Sequence, residues 1–142
     1  MSHITIKPAE YNINGRNILY KGRGSVEIAP KEARATIIAG QNGSVAKQST
    51  VLESFSFSLP VLLGSSDDAF LQSIVNNGLF VEGYIRKPIL NRNGVSGAVQ
   101  YDIFNGTITK TPNRTDNITI DDVEAECVSA YEIDFVGKAN II

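Results

Sequence analysis

Residues 123–136 read VEAECVSAYEIDFV, and their alternation decides the fold. Val123, Ala125, Cys127, Tyr131, Ile133 and Phe135 share one parity, with Ser129 the single polar residue among them. The other parity carries Glu124, Glu126, Glu132 and Asp134, with Val128 and Ala130 between. Successive side chains on a strand point to opposite faces, so the pattern predicts one long strand with an apolar face and an acidic face. Extended chain of that length reaches roughly 45 Å, well past the usual strand of about five or six residues. Such a strand calls for a large sheet beside it, and its acidic face calls for water. A subunit that joins its sheet to its neighbours' sheets around a wet channel supplies both.

Outward from this strand, the chain repeats β signals and changes period once. Ser25–Ala29 and Ala33–Ala39 read as strands separated by Pro30-Lys31-Glu32. Residues 40–50, GQNGSVAKQST, lack large apolar side chains and predict an extended exposed loop or hairpin tip. Val51–Leu59 alternates cleanly: Phe55, Phe57 and Leu59 face one way, Ser54, Ser56 and Ser58 the other, and Pro60 is expected to end the strand. Residues 66–77 switch to a helical period. Ser66 stands as N-cap, Asp67 and Asp68 sit at the positive end of the helix dipole, and Phe70, Leu71, Ile74 and Val75 form one stripe. Leu79–Lys87, closed by Pro88, and Ala98–Lys110, with a bulge near Asn105-Gly106, are the remaining long strands. Residues 111–117 are expected as a polar loop, and residues 1–22 as an N-terminal arm ahead of a single domain over 23–142. Phe55, Phe57, Phe70, Leu71, Ile74, Tyr131, Ile133 and Phe135 are the expected core.

The composition argues against most chemistry. A chain of 142 residues with formal net charge −2 carries no overall basic footprint for gripping nucleic acid. The only histidine, His3, lies in the expected arm, where it serves neither a triad nor a metal site. Cys127 is the only cysteine, which excludes an internal disulfide and a cysteine-based zinc site, and its apolar parity makes it a small hydrophobe. Glu124/Glu126 and Glu132/Asp134 are each spaced for a carboxylate pair, but no base or aromatic wall is placed beside them. Gly22-Arg23-Gly24-Ser25 is too short for a phosphate loop and precedes a strand. No cofactor and no enzymatic activity are expected, and no apolar run is long enough to span a bilayer.

The order of features resembles the tail tube proteins of contractile-tailed bacteriophages and of related phage-like injection devices. The resemblance rests on GSVEIAPKEARATIIAGQNGSVAKQSTVLESFSFSLP, the acid-started helix SSDDAFLQSIVNN, the paired long strands and the terminal EAECVSAYEIDFVG, together about residues 22–138. It implies a mainly β fold of two packed antiparallel sheets, a sandwich or partly open barrel, with one flanking helix and sheets continuing across subunits in a ring. It further implies hexameric rings stacked into a hollow tube that conducts DNA from capsid to host without specific binding. The tube would be assembled in the bacterial cytoplasm and built into the virion tail. Sheath, baseplate or initiator, and tail terminator proteins are the implied partners.

Under this resemblance Ser54, Ser56, Ser58, Glu82, Glu124, Glu126, Glu132 and Asp134 are expected to face water in the lumen or at its mouth. Gln41, Asn42, Ser44, Lys47 and Gln48, with the N-terminal arm, are assigned to contacts between rings, and Ile141-Ile142 to docking on a neighbour. The rival expectations are a tube protein of a phage-like secretion device, a monomeric β-sandwich binding module, and a small β-barrel hydrolase using paired carboxylates.

Overall fold

The computed structural model of the protein describes residues 8–22, 26–32, 35–40, 43, 45–49, 52–90, 96–116 and 127–142. In chain order the elements are β1 (Glu10–Ile13), β2 (Arg16–Asn17), β3 (Ala29–Pro30), β4 (Ala35–Ala39), β5 (Val45–Ser49), β6 (Glu53–Leu62), α1 (Ser66–Asn76), β7 (Val81–Leu90), β8 (Ser96–Ile108), β9 (Asn113–Asp116) and β10 (Cys127–Ile141). The fold is mainly β, with one helix among the described residues. Eight strands form one antiparallel sheet in the order β2-β1-β7-β8-β10-β6-β3, with β9 paired to β10. Among the described residues, β4 and β5 pair only with each other.

The long terminal strand sits at the centre of this sheet. β10 spans 15 residues, pairing Val128–Gly137 with Leu62–Glu53 of β6 and Ile133–Ile141 with Ile108–Val99 of β8. Its Tyr131, Ile133 and Phe135 are buried, as are Phe55, Phe57, Leu59 and Val61 of β6. Phe135 stacks on Phe55 with ring centroids 5.2 Å apart, and Phe57 meets Phe135 edge-on at 5.8 Å. Val123, Glu124, Ala125 and Glu126, which began the expected strand, lie outside the described residues.

The helix covers the apolar face of the sheet. Leu71 and Ile74 are fully inside the core, while Phe70 and Val75 pack against it only half-buried, with the Arg16 guanidinium 5.3 Å over the Phe70 ring. The cap is Ser65 rather than the expected Ser66: the Asp68 N–H donates to Ser65 Oγ at 3.2 Å. Gly78 follows the C-cap Asn77 at φ 63°, the left-handed turn that stops the helix.

Residues 10–22 are not an arm. β1 and β2 belong to the main sheet, and Tyr11, Ile13 and Ile18 are core residues. The segment after β2 also ties the sheet's two ends together. Asn17 pairs with Asn12 and the Ile18 N–H donates to Tyr11 O at 2.8 Å, so this end of the segment lies on β1. Two residues on, Tyr20 O accepts from the Leu62 N–H, Lys21 bridges Val61, and the Gly22 N–H donates to Pro60 O at 2.9 Å, all on β6. In a flat sheet β1 and β6 would stand four strand spacings apart, about 19 Å. Two residues of chain span at most about 7 Å. The sheet must therefore curl round its core until its margins nearly meet.

Two strand ends differ from the sequence expectation for one reason. Pro60 and Pro88 stand inside β6 and β7 rather than closing them, paired with Ala130 and Ala98. Pro60 O faces segment 20–22, so the missing N–H of Pro60 is on that side too, away from the ladder with β10. A proline is tolerated in a strand where its nitrogen needs no partner. Ala29–Pro30 is the only described strand within 25–30, the 40–50 stretch contains strand β5, and the 111–117 loop contains strand β9. The expected bulge is present: Val136 pairs with Asn105 and Gly137 with Ile103, leaving Phe104 as the extra residue.

Candidate functional site: a polar sheet face

The face of the sheet opposite the core is assembled by register. Along β10 and β6, Glu132 stands beside Ser58, Asp134 beside Ser56 and Val136 beside Ser54. Across the other ladder Asp134 neighbours Thr107 and Val136 neighbours Asn105. Beyond the bulge the same face continues through Lys138, Asn140, Asp102 and Gln100 to Tyr84 and Arg86 of β7, then Asn12 and Glu10 of β1. Glu82 falls on this face by the alternation of β7 and is exposed. The structure thus gathers Ser54, Ser56, Ser58, Glu82, Glu132 and Asp134 on one surface. Glu124 and Glu126 lie outside the described residues.

Four acids of this face, Glu10, Asp102, Glu132 and Asp134, are matched by cations and amides, where the sequence had pointed to an acidic strand face. Lys31 Nζ is 2.9 Å from Asp134 Oδ2, Lys110 Nζ is 3.6 Å from Glu132 Oε2, and Arg86 Nη1 is 3.9 Å from Glu10 Oε2. Arg86 also donates from Nε and Nη2 to Gln100 Oε1 at 3.1 and 2.8 Å, with its guanidinium 5.3 Å over the Tyr84 ring. Gln100 Nε2 passes the chain on to Asp102 Oδ1 at 2.8 Å, and Asn140 Nδ2 reaches Asp102 Oδ2 at 3.5 Å. These long-range partners were invisible in the sequence, which placed Lys31 in a turn. The alternating Glu82, Tyr84, Arg86 and Gln100, Asp102 were the readable signal for the rest.

A cleft opens on this face. It encloses about 310 Å³ between Lys31, Ser54, Phe80, Asn105, Thr107 and Asp134, with Phe80 as an exposed aromatic wall. The Lys31–Asp134 pair crosses it, so its charges are already matched. Among the described residues no three His, Cys, Asp or Glu side chains are grouped to hold a metal ion. No helix of the described residues is long and apolar enough to cross a membrane.

The buried acids lie elsewhere, at the start of α1. Asp67 accepts from the Leu19 and Tyr20 N–H groups at 2.8 Å each and from Arg16 Nε at 2.8 Å. Asp68 accepts from the Gly64 N–H at 2.9 Å, from Ser129 Oγ at 2.9 Å and from Tyr131 Oη at 2.5 Å, with Arg114 Nη2 at 3.4 Å. Burial works to raise both carboxyl pKa values. The donors outweigh it, so both are held below the usual carboxylate value. Burial first, and then the Asp68 carboxylate, push the Tyr131 hydroxyl up, which keeps it a proton donor. Every buried polar side-chain atom among the described residues has a partner. This cluster is an anchor: Asp67 pins the segment that closes the sheet, and Asp68 pins the helix to β10.

Of the residues assigned to contacts between rings, Gln41, Asn42 and Ser44 lie outside the described residues. Lys47 and Gln48 are in β5, paired with Ile37 and Thr36 of β4. Ile141 pairs with Val99 and Ile142 exchanges both backbone bonds with Ala98, so this stretch is bound to β8 of its own sheet on one side, with both isoleucine side chains exposed. Compared with known proteins, the chain matches no family model and no curated protein.

Proposed function

We propose that the protein is a structural tube subunit, with copies joining their sheets side by side into rings and the rings stacking into a hollow conduit for DNA. In this reading the rolled sheet acts as two facing layers flanked by α1. The sheet continues from subunit to subunit, and its face bearing Ser54, Ser56, Ser58, Glu132 and Asp134 is turned to the bore. The observation that carries it is that wide water-facing sheet surface, backed by a full core and with no basic cluster among the described residues.

The pairing of charges fits a conduit. Each lysine or arginine that contacts phosphate adds affinity and salt-dependent friction. On this face Lys31, Lys110 and Arg86 each have an acid in reach, which leaves little net attraction for a passing polyanion. The tube itself does no chemistry and needs no cofactor. Hexameric rings, sheath, initiator and terminator partners, and a place in a virion tail belong to this proposal through the resemblance to tail tube proteins; a secretion-device tube shares all but the cargo. A monomeric binding module is the second reading, favoured by the Phe80 cleft and by the internal closure through residues 16–22.

Size-exclusion chromatography with light scattering, followed by negative-stain microscopy of the same fractions, separates them. Rings or hollow filaments that grow with concentration are expected. A single monomeric species at every concentration, with a small ligand shifting Phe80 resonances, points to the module instead.

A further inference from the structure

The joint between copies has a readable address. Ala98 and Ile142 exchange both backbone hydrogen bonds, at 3.0 and 2.9 Å. Backbone groups of an antiparallel strand alternate direction, so Ala139 and Ile141 turn their N–H and C=O away from β8. β6 covers that side of β10 only as far as Gly137, opposite Glu53. Among the described residues, nothing in the backbone pairs with Ala139 or Ile141 there.

Among the described residues, the opposite flank of the same three-stranded layer is also without a partner beyond Arg86, in a different way. The β1–β7 ladder ends at Glu10 opposite Arg86. Pro8 and Pro88 would be the next pair, and neither has an N–H to exchange. Pro88 therefore presents a carbonyl alone on that margin, followed by Leu90 with both groups.

We infer that the β10 margin at Ala139 and Ile141 takes the β7 margin of a second copy of this chain as a parallel strand, with Ala139 opposite Ile89. In a parallel ladder a residue donates to one outward-facing neighbour and accepts from the next but one. Ala139 then donates to Pro88 O and accepts from the Leu90 N–H, and Ile141 donates to Leu90 O. The missing N–H of Pro88 falls where none is required. The occupant is a second copy because one chain carries both margins on opposite flanks of one layer, so copies add head to tail and close a ring. Ile89 and Ile141, which are 37% and 80% exposed, share one face of the layer and would be brought together across the joint.

This inference rests on the tube reading and is tested separately from it. In the Ala139→Pro/Ile141→Pro variant the lost N–H groups face outward, so the internal ladder is kept. The expected result is a wild-type circular dichroism spectrum with assembly requiring at least about tenfold more protein. In a Cys127→Ser background, mixing an Ile89→Cys chain with an Ala139→Cys chain under oxidised glutathione should give a covalent dimer, and neither chain alone should. If wild type and the double-proline variant assemble at the same concentration, the joint is overturned and the tube reading stands. If Ala139→Cys cross-links to itself, copies pair β10 to β10 and the head-to-tail joint is wrong. A wild-type chain that never assembles removes the tube reading and the joint with it.

Discussion

Asp68 shows at a single position how the sequence can mark a residue and hide its task. Two aspartates after a serine signal a helix start, and that start is where they stand. Nothing local says that Asp68 reaches Ser129 and Tyr131, 61 and 63 residues away. Ser129, which looked like a flaw in the apolar parity of β10, is fully buried as a donor to that carboxylate. Tyr131→Phe should remove one charge-assisted bond and cost about 1–3 kcal/mol, read as a lowered urea midpoint. Asp68→Asn should cost more, about 2–4 kcal/mol, because one carboxylate oxygen becomes an NH2 group facing two donors and Arg114 loses its opposite charge.

Acid should act through the same pair. Folded-state pKa values below the unfolded ones give stability that is present above an ordinary carboxyl pKa of about 4 and lost as pH falls through the folded values. Urea midpoints should therefore drop between pH 5 and pH 2 (about one to two units either side of that value), and the Asp67→Asn/Asp68→Asn chain should show a shallower slope. An identical slope in the two proteins would assign acid sensitivity to other carboxylates.

At the scale of elements, alternation was the reliable signal. The faces of β6 and β10 follow it residue by residue, and Ser54, Ser56, Ser58, Glu132 and Asp134 came out together because a strand's parity is local information. Strand ends were less legible, because whether a proline closes a strand depends on which side its nitrogen faces, and that needs the neighbour. β1 and β2 were misread as an arm for a similar reason: their short apolar pattern gains meaning only from β7, some seventy residues on. The bulge is a further element-level feature with a testable cost. A Cβ at Gly137 would lie 1.8 Å from Asp102 O, so Gly137→Ala must part β10 from β8. It should lower stability by about 2–4 kcal/mol, measured as a fall in Tm. Among the described residues the β4–β5 hairpin pairs with no other strand, so deleting residues 40–50 should leave the main sheet's circular dichroism intact while long tubes disappear from micrographs. Full-length tubes from the deleted chain would remove that stretch from the ring-to-ring contact.

For the whole molecule the decisive quantity is what its sheet margins do. The curl closes one side through residues 16–22, and the layer of β7, β8 and β10 runs past both β1 and β6. A large sheet was predictable from a long strand; its curvature was not, because it follows from a segment that hydrogen-bonds to two distant strands within a few residues. Electron cryo-microscopy of the assembled protein tests the account most directly. The predicted map is a hollow filament whose bore is lined by Ser54, Ser56, Ser58, Glu132 and Asp134. A filament with that face turned outward, or particles no larger than one chain at every concentration, would contradict it.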